Sequence, residues 1–206
     1  MPVIVVANPK GGAGKSTLAT NVAGLYAYRG HAVMLGDVDR QQSARQWLAL
    51  RPANVPRIKG WDVIGESTLK PPAGITHVVI DTPAGFTGKV MDNVLRVADR
   101  VLVPLQPSLF DMQATHAFLH ELRSHKRAAE FQVALVGMRV KDHTISNDQL
   151  HQFLGKLSLP VLGYLRDTQN YVQLAARGLT IWDVAPGRVE RDLEQWKPLA
   201  SWLLTH

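Results

Sequence analysis

Asn8-Pro9-Lys10-Gly11-Gly12-Ala13-Gly14-Lys15-Ser16-Thr17 decides the fold of this chain. The stretch follows an apolar, β-branched run, Val3-Ile4-Val5-Val6. It opens an amphipathic segment, Leu18 to Tyr28, with Leu18, Val22, Leu25 and Tyr26 on one helical face. Strand, glycine-rich loop, helix is the context a phosphate cradle requires. Glycines remove the Cβ atoms that would keep backbone N–H groups away from phosphate oxygens. The helix start adds free N–H groups and the positive end of its dipole. In such a loop Lys15 reaches the β/γ-phosphates as a point charge, and the Ser16 hydroxyl holds Mg²⁺. Gly11, Gly12, Ala13, Gly14, Lys15, Ser16 and Thr17 are therefore the expected phosphate-binding residues.

Two further strands end in acids. Gly30 closes the first helix as a C′ residue, and His31 to Gly36 reads as a buried strand. It runs into Asp37-Val38-Asp39-Arg40-Gln41-Gln42-Ser43, where Asp37 and Asp39 alternate and so share a direction. His77-Val78-Val79-Ile80-Asp81 is another apolar strand, broken by Thr82-Pro83-Ala84-Gly85. An apolar strand ending in aspartate beside a phosphate loop is a Walker B, whose acid holds Mg²⁺, often through water. At the carboxyl ends of parallel strands these acids face a ligand crevice. Ser16, Asp37 and Asp81 are the expected metal-shell residues.

The remaining pattern alternates strand and helix. Gln42 to Leu50 continues as a short helix, and Ile58 to Val63 reads as a short strand inside a Pro/Gly-rich stretch from 51 to 74. Arg51, Arg57, Lys59 and Lys70 there read as solvated surface. Val90 to Val97 is helical, Arg100 to Leu105 a strand, and Ser108 to Leu122 a helix; Pro104 fits only a strand end. Phe131 to Met138 is a strand, and Ser146 to Leu157 a helix with Ser146 as N-cap and Gln149 at the capping-box position. Leu159 to Leu165 is a last strand, followed by helix Tyr171 to Arg177, stopped by Gly178, and by Gly187 to Leu204, interrupted at Pro198. Near-continuous apolar strands between helices predict an α/β fold, a mostly parallel sheet covered on both faces, in one domain spanning 1–206.

The loop departs from the ordinary P-loop, G-x-x-x-x-G-K-[ST], because its first glycine would fall on Pro9. Its K-G-G-x-G-K-S-T, with an added lysine at Lys10, resembles the deviant Walker A motif of the ParA/MinD partition ATPases. The family's D-x-D-P-Q is matched by Asp37, Asp39 and Gln41, with Arg40 where proline is usual, and its D-x-P by Asp81-Thr82-Pro83. Ala98 to Ser108 resembles the family's strand and proline pair after Walker B. The resemblance implies a P-loop NTPase-like fold and slow, switch-like hydrolysis of ATP with Mg²⁺. Lys10, Lys15 and Asp39 become the catalytic set. Lys10 crosses to the partner's nucleotide in an ATP-sandwich homodimer, and Asp39 orients or polarises the attacking water. Gly85 to Lys89 becomes a switch loop that senses the γ-phosphate.

The same resemblance implies non-specific DNA binding by the ATP dimer. It implies a ParB-like or cargo-adaptor protein that stimulates turnover, and a cytoplasmic, nucleoid-associated location. The cargo would be a plasmid, a chromosome or a protein assembly. Met138, Arg139 and Pro186 are assigned to the adenine, and Arg123, Lys126, Arg127, Arg166, Arg188 and Arg191 are the DNA candidates. Cations at a helix C-terminus are favoured by the dipole alone, so the Arg123 to Arg127 group has that plainer use as well. No helix-turn-helix precedes the loop, so operator-type DNA recognition is not expected.

Composition bounds the alternatives. In 206 residues there is no cysteine, which removes thiolate metal sites, disulfides and a cysteine nucleophile. A net charge of +6 is compatible with a polyanionic partner. No apolar run has the length of a membrane span. A MinD-like membrane-associated ATPase is the alternative reading. Its C-terminal helix would have to be basic and amphipathic, whereas Leu193 to Leu204 carries only Lys197 and includes Pro198, so core packing is expected there. A metabolic or metal-delivery relative would bring a cysteine or a substrate-binding insertion. A non-enzymatic scaffold would not need Lys15, Asp39 and Asp81.

Overall fold

The computed structural model describes residues 1–62 and 72–205; Val63 and Lys70, included in the expectations above, lie outside them. Seven strands form one all-parallel sheet in the order β3-β2-β4-β1-β5-β6-β7. They are β1 (Val3–Val6), β2 (Val33–Asp37), β3 (Ile58–Asp62), β4 (His77–Asp81), β5 (Arg100–Leu105), β6 (Gln132–Val140) and β7 (Val161–Arg166). Register puts Val6 beside Asp81, and Asp37 beside Asp81 from the other side, so the acids and the loop entry meet at one sheet end.

Alternation sorts side chains to two cores. Ile4, Val6, Leu35 and Val79 face α1 (Lys15–Tyr28), α2 (Ser43–Leu50), α6 (Gln169–Ala175) and α7 (Glu190–Leu204). Val3, Val5, Val78 and Ile80 face α3 (Gly88–Leu95), α4 (Leu109–Ser124) and α5 (Ile145–Gly155). Both faces of the sheet are thus dry, which is why its strands read as unbroken apolar runs.

Several expectations are corrected. The first helix starts at Lys15, not Leu18, so the phosphate loop runs directly into helical N–H groups. It is not a one-faced amphipathic helix: nearly every residue from Leu18 to Ala27 is buried. The chain from 179 to 184 covers its outer side, and a Cβ on Gly24 would lie 2.6 Å from Thr180 Oγ1. Gly30 does close the helix, with φ +83°. Its N–H donates to Ala27 O at 3.0 Å and that of His31 to Tyr26 O at 3.0 Å, the paired bonds of a Schellman motif.

The N-cap of α5 is Thr144, which accepts from Asn147 N, rather than Ser146. Pro198 lies inside α7 without interrupting it. Pro198 is exposed, so the bond it forgoes is on the solvent side. Pro104 is tolerated because β1 has already ended beside it: the last bond there is Ala7 N to Leu102 O, and Asn8 Nδ2 then donates to Pro104 O at 2.8 Å.

Arg51 is not solvated surface. Its side chain is 5% exposed and forks onto Asp183, itself 0% exposed. The tail helix packs as expected for a core element: Trp196, Leu199 and Leu203 are buried in the α1 core. Among the described residues no helix is long and apolar enough to cross a membrane.

Candidate nucleotide-binding site

Asn8 fastens the loop entry. It is fully buried, and its Nδ2 donates to Thr115 Oγ1 at 2.9 Å as well as to Pro104. Its Oδ1 accepts the Lys10 N–H at 2.9 Å, turning the chain into the glycines. Gly12 (φ +80°) and Gly14 (φ +93°) take left-handed conformations that a Cβ would oppose. A Cβ on Gly14 would also meet Met138 Cε at 2.9 Å. Gln106 Nε2 donates to Gly12 O, and Gly85 N to Pro9 O at 2.8 Å, so loops after β4 and β5 hold the cradle from outside.

Lys15 is buried and its ammonium donates to Lys10 O at 2.9 Å. Burial lowers its pKa, while the charges of Asp81 and Asp39 pull the other way. It lines a cavity of about 290 Å³ over the glycines, together with Asp39, Gln41, Ser43, Thr82 and Arg139. Lys10 is exposed and does not line that cavity. The two lysines therefore have different positions: one inside the cradle, one presented outward from it.

Asp81 is 1% exposed, and burial pushes its carboxyl up to about 7. The charges of Asp37 and Asp39 add to that rise, while a hydrogen bond from Ser16 and the charge of Lys15 oppose it. Asp81 Oδ1 has no hydrogen-bond partner. A buried carboxylate oxygen without a donor, next to a serine hydroxyl and a phosphate cradle, suits a hard cation with oxygen ligands. Ser16 and Asp81 fit Mg²⁺, which when bound neutralises phosphate charge.

Asp37 is engaged by the backbone around it. Its Oδ1 accepts Asp39 N at 2.9 Å, and its Oδ2 accepts Ala44 N at 2.8 Å and Arg45 N at 3.3 Å. It is the anion at the start of α2, and it shapes the loop rather than facing the cradle. Asp39 does line the cradle; its Oδ1 accepts Gln41 N at 3.0 Å and its carbonyl accepts Gln42 N at 3.0 Å. These bonds form the turn without a proline at position 40, and Gln42 takes a left-handed φ of +52° within it.

A second cavity, about 460 Å³, adjoins the cradle; Gly14, Thr17 and Arg139 line both. Met138 and Arg139, two of the three residues assigned to the adenine, line it. Pro186 is not among its lining residues; Arg166, Tyr171, Val172 and Ala175 form the far wall instead. The rule that ligands gather beyond strand C-termini is the signal that could have found this end of β7. Arg139 also has φ +51°, a left-handed backbone rare for arginine, at the junction of the cavities.

The profile of the CobQ/CobB/MinD/ParA nucleotide binding domain matches residues 4–181. The chain belongs to this family. Among curated members it is 32% identical over 124 residues to maintenance of carboxysome distribution protein A of Gloeobacter kilaueensis, covering 57% of this chain. That match spans only about half of the relative, 55% of its length. A protein of the same name from Halothiobacillus neapolitanus is 26% identical over 198 residues, covering 92% of this chain and 91% of the other. The fold is similar to that of the septum site-determining protein MinD complexed with Mg-ADP from Pyrococcus horikoshii. The TM-score is 0.77 at 14% identity, over 99% of this chain and 96% of that one.

Within this CobQ/CobB/MinD/ParA member the six DNA candidates do not make one surface. Arg123 lies in the last turn of α4 and Lys126 and Arg127 follow it, at the end of the sheet opposite the loop, and Arg127 pairs with Glu130. Arg166, Arg188 and Arg191 lie near the cradle end, where Arg191 reaches Asp142 at 3.8 Å and Arg166 is engaged by buried Asp192.

Proposed function

We propose that this chain is a ParA-like positioning ATPase that binds ATP and Mg²⁺ and dimerises across the nucleotide. In that dimer it binds DNA without sequence preference, moves or spaces a cargo, and hydrolyses ATP slowly until a ParB-like or adaptor protein stimulates it. The observation that carries the reading is the division of labour between the lysines. Lys15 is committed to its own cradle, while Lys10, one turn of loop away, is exposed and free of it. The Lys10 backbone helps hold the loop, but its exposed ammonium lies outside the cavity and is available to a second nucleotide.

The surface around it supports association. Val90, Leu109, Phe110, Ile145 and Val172 are exposed, and all belong to early turns of helices that follow strand C-termini. They surround the loop end with apolar area, the composition an association face needs. Charge stabilisation in a dry interface is also the strongest catalytic contribution open to such a site. Asp39 lines the cradle opposite the loop and is the group to orient the attacking water.

Sedimentation with Mg-ATP, Mg-ADP and no nucleotide tests this. The parent should dimerise with ATP alone, and Lys10→Ala should bind ATP yet stay monomeric. A Lys10→Ala protein that dimerises like the parent would remove the basis of the reading. DNA retention that is equal with ATP and ADP would remove its switching part.

A further inference from the structure

Asp192 is wholly buried in the first turn of α7 and does not line the phosphate cradle. Its Oδ1 accepts Arg166 Nε at 2.6 Å, and its Oδ2 accepts Arg166 Nη2 at 3.3 Å and Asn170 Nδ2 at 2.6 Å. The Arg166 N–H is held in turn by Gln195 Oε1 at 2.9 Å. Behind it Trp196 Nε1 donates to Tyr171 OH at 2.9 Å. Strand β7 and helices α6 and α7 thus converge on one carboxylate. On its other side Arg166 lines the larger cavity, with Met138 and Tyr171 among its neighbours there.

A guanidinium carries five N–H donors, and Asp192 takes one edge of them. Among the described residues no hydrogen bond takes the remaining donors, which leaves them for a ligand in the cavity. Because the fork is already fixed, little side-chain freedom remains to be lost on binding. A planar heterocycle offers ring nitrogens as acceptors and a π-face to a cation, and both suit a guanidinium held in this way.

We propose that Arg166 is a base-recognition residue of the nucleotide site, and that Asp192, with Asn170, is the positioning residue that aims it. The proposal rests on the nucleotide reading above and moves Arg166 from the DNA surface to the ligand. The rival is a strut that only ties β7 to α7.

The two separate by ligand. Arg166→Met alone leaves a buried carboxylate without its partner and will melt early. Replacing a buried pair by apolar groups is often neutral, so Arg166→Met/Asp192→Leu keeps the fold. Arg166→Lys keeps the charge but not the fork. Calorimetric titration would compare these proteins with Mg-ATP, Mg-ADP and inorganic tripolyphosphate.

The double variant and Arg166→Lys should bind ATP and ADP at least about tenfold more weakly. Their tripolyphosphate affinity should match the parent's. Parent-like ATP affinity in both, or equal losses of ATP and tripolyphosphate, would make the cluster a strut. A parent that binds ATP no better than tripolyphosphate would remove the base site itself. Undiminished ATP binding in Lys15→Ala would instead remove the phosphate-loop reading.

Discussion

Arg51→Met tests how far this fold relies on a charge that the sequence presents as surface. Arg51 Nη1 and Nη2 each donate to Asp183 at 2.9 Å. The same guanidinium serves Gly178 O at 3.0 Å and Pro56 O at 2.9 and 3.1 Å, and lies 5.3 Å from the centre of the Trp47 ring. Methionine keeps most of the stem but supplies no donor. Asp183 would retain only Thr180 N and Oγ1, at 2.8 and 2.7 Å. Breaking a buried pair from one side costs about 3–5 kcal/mol. The lost cation–π contact adds about 0.5–1 kcal/mol. At about 2–4 °C per kcal/mol for a chain of this size, the melting temperature should fall by roughly 10 °C. The assay is thermal and urea unfolding followed by tryptophan fluorescence, with exposed Arg57→Met as control, expected within about 0.5 kcal/mol of the parent. A double cycle with Asp183→Asn isolates the pair. If Arg51→Met and Arg57→Met unfold together, the burial argument is wrong.

Other outcomes follow from the same geometry. Lys15→Ala should weaken ATP binding by roughly a hundredfold or more, read by titration calorimetry, because a buried cation is withdrawn from the phosphates. Asp39→Ala should bind ATP, lose turnover and accumulate as an ATP-loaded dimer on size exclusion; turnover at the parent rate would free Asp39 of the water. His77 is pushed down from 6.5 to about 4 by burial, then by the charges of His31 and the N-terminal amine. Between those values the unfolded chain holds more protons than the folded one, so stability falls as pH falls through that window. His77→Gln should flatten the melting-temperature profile there, though solvent around the ring keeps the effect modest.

The parts of this protein that were legible in its sequence are those specified locally. A loop of glycines between an apolar strand and a helix has one physical use, and Asp81 could be placed because an apolar run ends on it. The helix caps were nearly legible, since threonine and serine compete as N-caps over two positions, and Thr144 prevailed over Ser146. What was not legible depends on groups far apart in sequence. Nothing local shows that the backbone of residues 39, 44 and 45 closes around Asp37. Arg51 looked solvated because Asp183 is 132 residues away. The larger of the two cavities at the cradle needed the end of β7 brought beside Met138, and the engagement of Arg166 by Asp192 lies 26 residues along the chain.

The all-round burial of α1 bears on where a switch can reside. The helix that carries Lys15 is enclosed by the sheet, by Thr180 against Gly24, and by Asn21, whose Oδ1 accepts Ile181 N at 3.1 Å. Moving it would disturb a whole core, so the cradle itself is the fixed part. The attachments that can change lie on its outer side: the single bonds from Gly85 to Pro9 and from Gln106 to Gly12. Gly85 precedes α3, and Gln106 precedes Ser108, the N-cap of α4. Those two helices carry exposed Val90, Leu109 and Phe110. Under the function proposed above, a γ-phosphate that rearranged either bond would act first on α3 and α4 and their exposed apolar residues, without passing through the core.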